Sequence, residues 1–245
     1  VFCWICRNEV PDFLPYGLPP RRGLCPRCGA KPRGRLLGWL LKHVLCPRLP
    51  AGSRLLEAGA SKFSVEHLLT RDFVQQHRCA VIDLRRLGHH HRLQAPHDLV
   101  QMDLVQMGFR SDSFDLILCN NTLPYVSDDF RALREIRRCL KPDGLAIINT
   151  HREPGPTMSV TEHRRLHPEL DDDYYAVNGD QRVYGDDFFD RVGGAGLACT
   201  AARVFGSQSK DFLASNGLKR YNEILFAYID PSALRRCRHA DIDLG

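Results

Sequence analysis

The apolar positions change their spacing along the chain. Residues 1–32 show almost no period and are rich in Pro, Gly, Arg and Cys. Such a segment cannot bury much apolar surface by itself. From residue 33 to 46, Leu36, Leu37, Leu40, Leu41 and Val44 recur at helical spacing, and Pro47 and Pro50 end the run. Short apolar runs then alternate with amphipathic ones. Strands are predicted at Ser53–Leu56, Cys79–Ile82, Asp98–Met102, Phe114–Cys119, Leu145–Asn149, Leu197–Val204 and Glu223–Ile229. The run Phe114–Cys119 is almost continuously apolar, as a strand covered on both faces of a parallel sheet must be. Ser64 is placed to cap a helix reaching about Thr70. Asp128 or Asp129 caps another, with Phe130, Leu133, Ile136 and Leu140 on one face and Arg131, Arg134, Arg137 and Arg138 on the other. Lys141-Pro-Asp-Gly144 is a stop and turn. A last helix, Asp186–Val192, closes at Gly193-Gly194.

Strand-helix alternation predicts an α/β fold, a doubly wound, mostly parallel seven-stranded sheet. The 245 residues suffice for one such domain plus a small appendage. The organisation expected is a segment at 1–32, a linking helix at 33–52, and the sheet domain at 53–245 with a polar insert at 151–185. That insert carries His151, His163, His167 and Asp171-Asp172-Asp173. The triplet His89-His90-His91 falls in an expected loop.

Cysteine usage changes the picture of the first segment. Four of the ten cysteines form two pairs, Cys3-x2-Cys6 and Cys25-x2-Cys28. Each pair can offer two thiolates from one tight turn, and four thiolates complete a tetrahedral zinc site with no open position for catalysis. Zinc there is expected to be structural, supplying folding energy to a segment without a core. Cys79, Cys119 and Cys139 sit in apolar patterns and read as small core residues. The net charge of +5 is mild, and Arg21, Arg22, Arg27, Lys31, Arg33 and Arg35 concentrate it early. It permits an anionic partner without requiring nucleic acid. No apolar run nears the roughly 18 residues that span a membrane, and the first residues lack a basic-then-apolar leader pattern. A cytoplasmic protein is the expectation.

The first sheet strand runs into Glu57-Ala-Gly59-Ala-Ser61. A small-residue turn between strand and helix exposes backbone N–H groups at the carboxyl end of a sheet, where open α/β sheets bind ligands. Asp83, at the next strand end, can accept hydrogen bonds from both hydroxyls of a ribose. These features fit a dinucleotide or S-adenosylmethionine, and the missing further glycines count against a pyrophosphate.

The run Gln101-Met-Asp103-Leu104, Phe114-Asp-Leu-Ile-Leu-Cys119, Asn120-Asn121-Thr122 and Leu140-Lys-Pro-Asp-Gly-Leu145 decides between them. In this order it resembles the class I S-adenosylmethionine-dependent methyltransferases, over roughly 53–150 with a looser match to about 229. The resemblance implies a Rossmann-like fold and a cofactor site of Glu57, Gly59, Ala60, Ser61, Asp83, Leu84, Asp103, Leu104, Asn120 and Asn121. It implies that Asp103 meets the adenine amino group, the Leu104 backbone the ring, and the loop Asn120–Thr122 the methionine end. Two departures stand out: Gly-Ala-Ser replaces a Gly-x-Gly loop, and Pro124-Tyr125 stands where many relatives carry an acidic-His pair.

Cys25-Pro-Arg-Cys-Gly29 leading into Pro32-Arg33-Gly-Arg35 resembles a subset of these enzymes with a Cys-rich N-terminal segment, many of them acting on small molecules or peptides in natural-product pathways. Large-subunit rRNA guanine methyltransferases also carry an N-terminal zinc site, with a different ligand pattern, so RNA is the alternative acceptor. On the acceptor side, His151 and Tyr125 are the catalytic candidates, and Arg152, His163 and Tyr184 the substrate-binding ones. Arg33 and Arg35 are placed to reach cofactor or acceptor, or to solvate the helix start; the sequence leaves this open.

Overall fold

A computed structural model describes residues 1–16, 21–59, 77–84, 98–170, 179–218 and 223–244. Ala60, Ser61, the helix expected from Ser64 to Thr70, His89–His91 and Asp171–Asp173 lie outside the described residues.

One large sheet organises the molecule. Its strands, in chain order, are β1 (Arg54–Ala58), β2 (Arg78–Asp83), β3 (Asp98–Gln101), β4 (Phe114–Asn120), β5 (Leu140–Asn149), β6 (Ala198–Val204), β7 (Glu223–Tyr228) and β8 (Ile242–Asp243). Their spatial order is β8-β6-β7-β5-β4-β1-β2-β3. β3, β2, β1, β4 and β5 run parallel, and β7, β6 and β8 are added antiparallel. The sheet has one strand more than the hydrophobic pattern predicts. β8 has two residues and pairs with Arg203 and Val204, too short to leave a period in the sequence. β1 has β2 on one side and β4 on the other, so the chain order reverses between β1 and β4. The crevice at that reversal is where such sheets take ligands.

Alternate residues of each strand serve two cores. Leu55, Leu116, Leu118, Leu145, Ile147 and Phe226 pack under the N-terminal helical segment. Leu56, Ile117, Cys119, Ala146, Ile148 and Ala227 pack on the opposite face, against two further helices. That period of two with both faces covered is why these strands read as unbroken apolar runs.

The N-terminal helix α1 (Pro32–Leu40) starts on a proline, which loses nothing by lacking an N–H at that position. It continues without a break through a widened turn at Leu41–Leu45 and a tightened one at Cys46–Arg48. Helix α2 (Asp129–Cys139) is capped by Asp128, whose carboxylate accepts from the Arg131 N–H at 2.9 Å. It buries Ala132, Leu133, Ile136 and Cys139. The stretch Lys141–Gly144 loops out of the ladder: Phe114 pairs with Leu140, and pairing resumes only at Leu116 with Leu145. Within the otherwise apolar β4, Asp115 accepts from the Arg54 N–H at 2.9 Å and from Lys141 Nζ at 2.8 Å. A buried carboxylate is tolerated there because it ties β1, β4 and the β5 turn together.

The polar insert is stapled where it leaves and rejoins the sheet domain. Arg152 bridges to Tyr184, and the Glu153 N–H donates to the Tyr184 carbonyl at 2.9 Å. The Gly155 N–H donates to Asp186 Oδ2 at 2.8 Å, and the Asp186 N–H returns to the Gly155 carbonyl at 2.7 Å. A Cβ at Gly185 would stand 2.0 Å from that carbonyl, so only glycine permits the approach. Between these ends lie helix α3 (Val160–Leu166) and a two-residue strand pair, Met158–Ser159 with Arg182–Val183. Helix α4 (Phe188–Gly194) follows, and α5 (Lys210–Ser215) lies between β6 and β7. No described helix is long and apolar enough to cross a membrane.

Candidate functional site

At the reversal point the loops after β1 and β4 are locked together. Gly59 has φ +87°, and a Cβ there would meet Thr122 Oγ1 at 2.1 Å. Thr122 Oγ1 donates to the Ala58 carbonyl at 2.8 Å, and the Gly59 N–H donates to the Ile82 carbonyl at 2.8 Å. Gly59 is therefore required twice, by its backbone conformation and by the threonine packed where a side chain would be. Asn120 ends β4 with its Oδ1 buried and without a hydrogen-bond partner among the described residues. A buried amide oxygen at the carboxyl end of a parallel strand is suited to accept from a ligand ammonium. Asn121 adopts φ 61°, its N–H donating to the Asn149 carbonyl at 2.7 Å.

Asp83 closes β2 beside Gln101, and Leu84 beyond it is 61% exposed. Asp103 follows β3; its Oδ1 accepts from the Val105 N–H at 3.0 Å, an Asx turn that leaves the second oxygen for another donor. Leu104 is buried and Glu57 is 4% exposed within β1. The carboxyl ends of β1, β2, β3 and β4 thus gather Glu57, Gly59, Asp83, Asp103, Asn120 and Asn121 along one edge of the parallel strands. Ala60 and Ser61 lie outside the described residues.

Beside this crevice, past β5, opens a cavity of about 520 Å³. Arg33, Asn149, His151, Glu153, Phe188 and Leu225 are among its walls. Arg33 comes from the first turn of α1, and its Nη1 donates to Asn121 Oδ1 at 2.7 Å. Arg35, two residues on, points the other way and is 1% exposed. It donates to the carbonyls of Gly23, Ala30 and Asn216 and lies 3.9 Å from the Phe13 ring centre. His151 lines the cavity. Desolvation by the surrounding cavity wall, then Arg33, holds its imidazole below the usual histidine range, against the opposing pull of Glu153. Arg152 is paired with Glu223 and sits 4.6 Å above the Phe189 ring. Tyr125 hydrogen-bonds Asp180, whose carboxyl burial pushes up to about 6. His163 is 2% exposed and Tyr184 1%, and neither lines the cavity. The Tyr184 hydroxyl donates to Asp129 at 3.0 Å, and Arg191 reaches the same carboxylate at 3.1 Å.

The four paired cysteines meet in one place. Their sulfurs all lie within 4.8 Å of one another, with Cys3–Cys28 at 3.8 Å and Cys6–Cys25 at 3.9 Å. Thiolates about 2.3 Å from one tetrahedral ion stand about 3.8 Å apart, so the cluster is positioned to bind a metal. The two turns repeat one geometry. The Arg7 N–H donates to the Cys3 carbonyl and the Gly29 N–H to the Cys25 carbonyl, each at 2.9 Å. Arg7 and Gly29 both have positive φ, 54° and 70°. The N–H groups of Ile5 and Cys6 face Cys3 Sγ, and those of Arg27 and Cys28 face Cys25 Sγ. None of the ten cysteines forms a disulfide.

Residues 58–148 match the family model described as a methyltransferase domain. The match covers under half of the chain. The matched span runs from the end of β1 through β5 and includes Gly59, Asp83, Asp103, Asn120 and Asn121. The mitochondrial arginine-hydroxylase NDUFAF5 of Danio rerio is 27% identical over 92 residues, 38% of this chain and 29% of that protein. The chain therefore matches less than a third of that relative's length. The fold is also similar to that of YcgJ of Bacillus subtilis, with 18% identity, 78% of this chain and 96% of that chain covered, and a TM-score of 0.52. An S-adenosylmethionine-dependent methyltransferase of Mesorhizobium loti is 17% identical over 73% of this chain and 91% of its own, with a TM-score of 0.51. The [4+2]-cyclase SpnF is 16% identical over 80% of each chain, again with a TM-score of 0.51. These likenesses establish the fold, and a cyclase among them shows that the fold alone does not name the reaction.

Arg33 and Glu153 are the residues of the cavity that sequence reasoning left undecided or missed. Arg33 had one available signal, its place in the first turn of a helix that follows directly on the second cysteine pair. Glu153 had only its spacing, two residues after His151.

Proposed function

We propose that this chain transfers a methyl group from S-adenosylmethionine to an oxygen or nitrogen nucleophile, a carboxylate included, of a small molecule or peptide. The observation that carries this reading is the Gly59–Thr122 lock at the β1/β4 reversal, with Asp83, Asp103 and the unpartnered Asn120 oxygen on the same edge. In this reading Asp83 accepts from the ribose hydroxyls, and Asp103 with the Leu104 backbone and the neighbouring Leu84 receives the adenine. Glu57, Gly59, Ala60, Ser61, Asn120 and Asn121 hold the methionine end. The bound cofactor supplies an activated methyl on a sulfonium, so the protein's task is alignment and exclusion of water.

The acceptor belongs in the cavity beside β5. Its volume of about 520 Å³ is that of a small-molecule site. Arg33, held on Asn121, orients the acceptor or the cofactor's carboxylate next to the methyl position. His151 is held neutral and takes a proton from acceptors that arrive protonated; a carboxylate acceptor needs no such step. Tyr125, in the turn after β4, is the second catalytic candidate. Arg152 stands on the cavity wall and binds an anionic acceptor through its planar fork, while His163 and Tyr184 serve the acceptor indirectly, by fixing the stapled insert.

The metal is zinc, held by Cys3, Cys6, Cys25 and Cys28, and its role is structural because four thiolates fill the coordination sphere. The Cys-rich segment with this domain favours a place in natural-product biosynthesis and a cytoplasmic site of action. A cavity of this size favours a small acceptor over RNA. Turnover of methyl-labelled cofactor should appear with small phenolic, amine or carboxylate acceptors and not with structured RNA. Methylation of RNA with binding that weakens steeply between low and moderate salt would reverse that choice.

A further inference from the structure

His151 is not alone on its wall. Its Nε2 lies 3.4 Å from Glu153 Oε1, while the second oxygen of the same carboxylate lies 3.0 Å from His163 Nε2. The three residues differ in exposure in a graded way. The side chain of His151 is 58% exposed, Glu153 26% and His163 2%. His163 is further fixed by stacking on His167, with ring centres 4.4 Å apart. It stands on α3, whose N-terminus is capped by Ser159 accepting from the Glu162 N–H at 3.1 Å. Glu153 in turn is tied to the far end of the insert through its N–H and the Tyr184 carbonyl.

We infer that Glu153 and His163 are positioning residues that set His151 in one tautomer, with Nε2–H on Glu153 and the Nδ1 lone pair left for the acceptor. A carboxylate only accepts, so each histidine nitrogen bonded to it must carry a hydrogen. Nε2 of His163 therefore donates to Oε2, which fixes the carboxylate plane. Oε1 is then left to receive Nε2–H of His151, and the free base nitrogen is Nδ1. A buried anchor, a bridging carboxylate and an exposed base form one chain from core to cavity.

The proton step balances without another reactant. Nδ1 takes the proton of the acceptor's O–H or N–H, and the freed electron pair forms the bond to the methyl carbon. The carbon–sulfur bond breaks with its pair going to sulfur. The imidazolium is stabilised by Glu153 and releases its proton to water after product leaves. The charged groups acting on His151 are Arg33 from α1 and Arg152 and Glu153 from its own segment. The two arginines oppose protonation and Glu153 favours it, so the carboxylate is the part that makes the transient imidazolium affordable.

This inference rests on the cavity being the acceptor site, and its test needs no acceptor. Long-range proton–nitrogen NMR of ring-labelled protein reads each histidine's tautomer and titration. In the whole chain, His151 is expected as the Nε2–H tautomer, titrating below the ordinary histidine range. Glu153→Gln should shift that titration further down and leave both tautomers populated. His163→Phe should also loosen the tautomer, and His163→Gln, which restores an N–H donor, should recover it. S-adenosylhomocysteine binding, measured by calorimetry, should be unchanged in all three variants. A His151 that is the Nδ1–H tautomer, or whose spectrum ignores Glu153→Gln, overturns the inference. Loss of homocysteine-analogue binding by the wild-type chain would instead count against the cofactor reading, which separates the two failures.

Discussion

Two arginines two positions apart show what single residues contribute. Arg33 reaches Asn121 at the cavity, whereas Arg35 is buried and donates to carbonyls from the cysteine segment and from Asn216. Arg35→Ala is expected to cost about 2–5 kcal/mol of stability in urea unfolding, because it strands several buried carbonyls. Arg33→Ala should change stability by only about 0.5 kcal/mol, since it stands on a cavity wall. Equal losses in the two variants would mean that both are structural. Sequence alone left both arginines open. Positions i and i+2 on a helix face apart, and the contact that separates them, with Asn216, lies 181 residues away. Gly59 was easier to read, since a strand ending in a small-residue turn is a local signal. What the sequence could not disclose is Thr122 packed over it. Gly59→Ala must move that threonine and hold φ +87°, and should both destabilise the fold by about 1–3 kcal/mol and abolish cofactor binding. Normal cofactor affinity in that variant would detach the lock from the site.

At the scale of elements, the parallel half of the sheet was legible because buried strands announce themselves as apolar runs, Phe114–Cys119 above all. The five parallel strands and the caps of α2 follow from such local signals. β8 does not, being two residues long and defined only by its pairing with Arg203 and Val204. The insert at 151–185 was visible as a polar interruption, but its stapled ends were not, since they join Gly155 to Asp186 and Glu153 to Tyr184 through backbone groups that carry no sequence signature. The side chain that holds this insert to α2 is Asp129, 4% exposed, which receives the Tyr184 hydroxyl and Arg191. Asp129→Ala would leave Arg191 with Asp187 alone and the Tyr184 hydroxyl with only a long contact to the Leu123 carbonyl, and is expected to cost about 1–3 kcal/mol in denaturant unfolding. A loss under about 1 kcal/mol would show that the insert is held by its backbone alone.

Across the whole molecule, the cysteine segment is built into the sheet domain. Trp4 packs 5.5 Å from the Phe205 ring centre, Trp39 lies 4.5 Å from the same ring, and Arg35 crosses between the two parts. One zinc ion per chain is expected by elemental analysis. Chelation should lower the melting temperature and shift the Trp4 emission, with Trp4→Phe identifying its share of the signal. A metal-free chain with unchanged melting would remove zinc from the account. The same segment leads directly into α1, so it also sets where Arg33 enters the cavity.

The proposed cofactor edge runs from Gly59 through Asp83 and Asp103 to Asn120. Calorimetric titration with S-adenosylhomocysteine tests it most directly. One site per chain is expected in the wild type, and Asp83→Ala should weaken binding by roughly 1.5–3 kcal/mol, about ten- to a hundredfold in Kd, for the lost hydrogen bonds to a charged group. A wild-type chain that does not bind, or an Asp83→Ala variant that binds equally well, would contradict it.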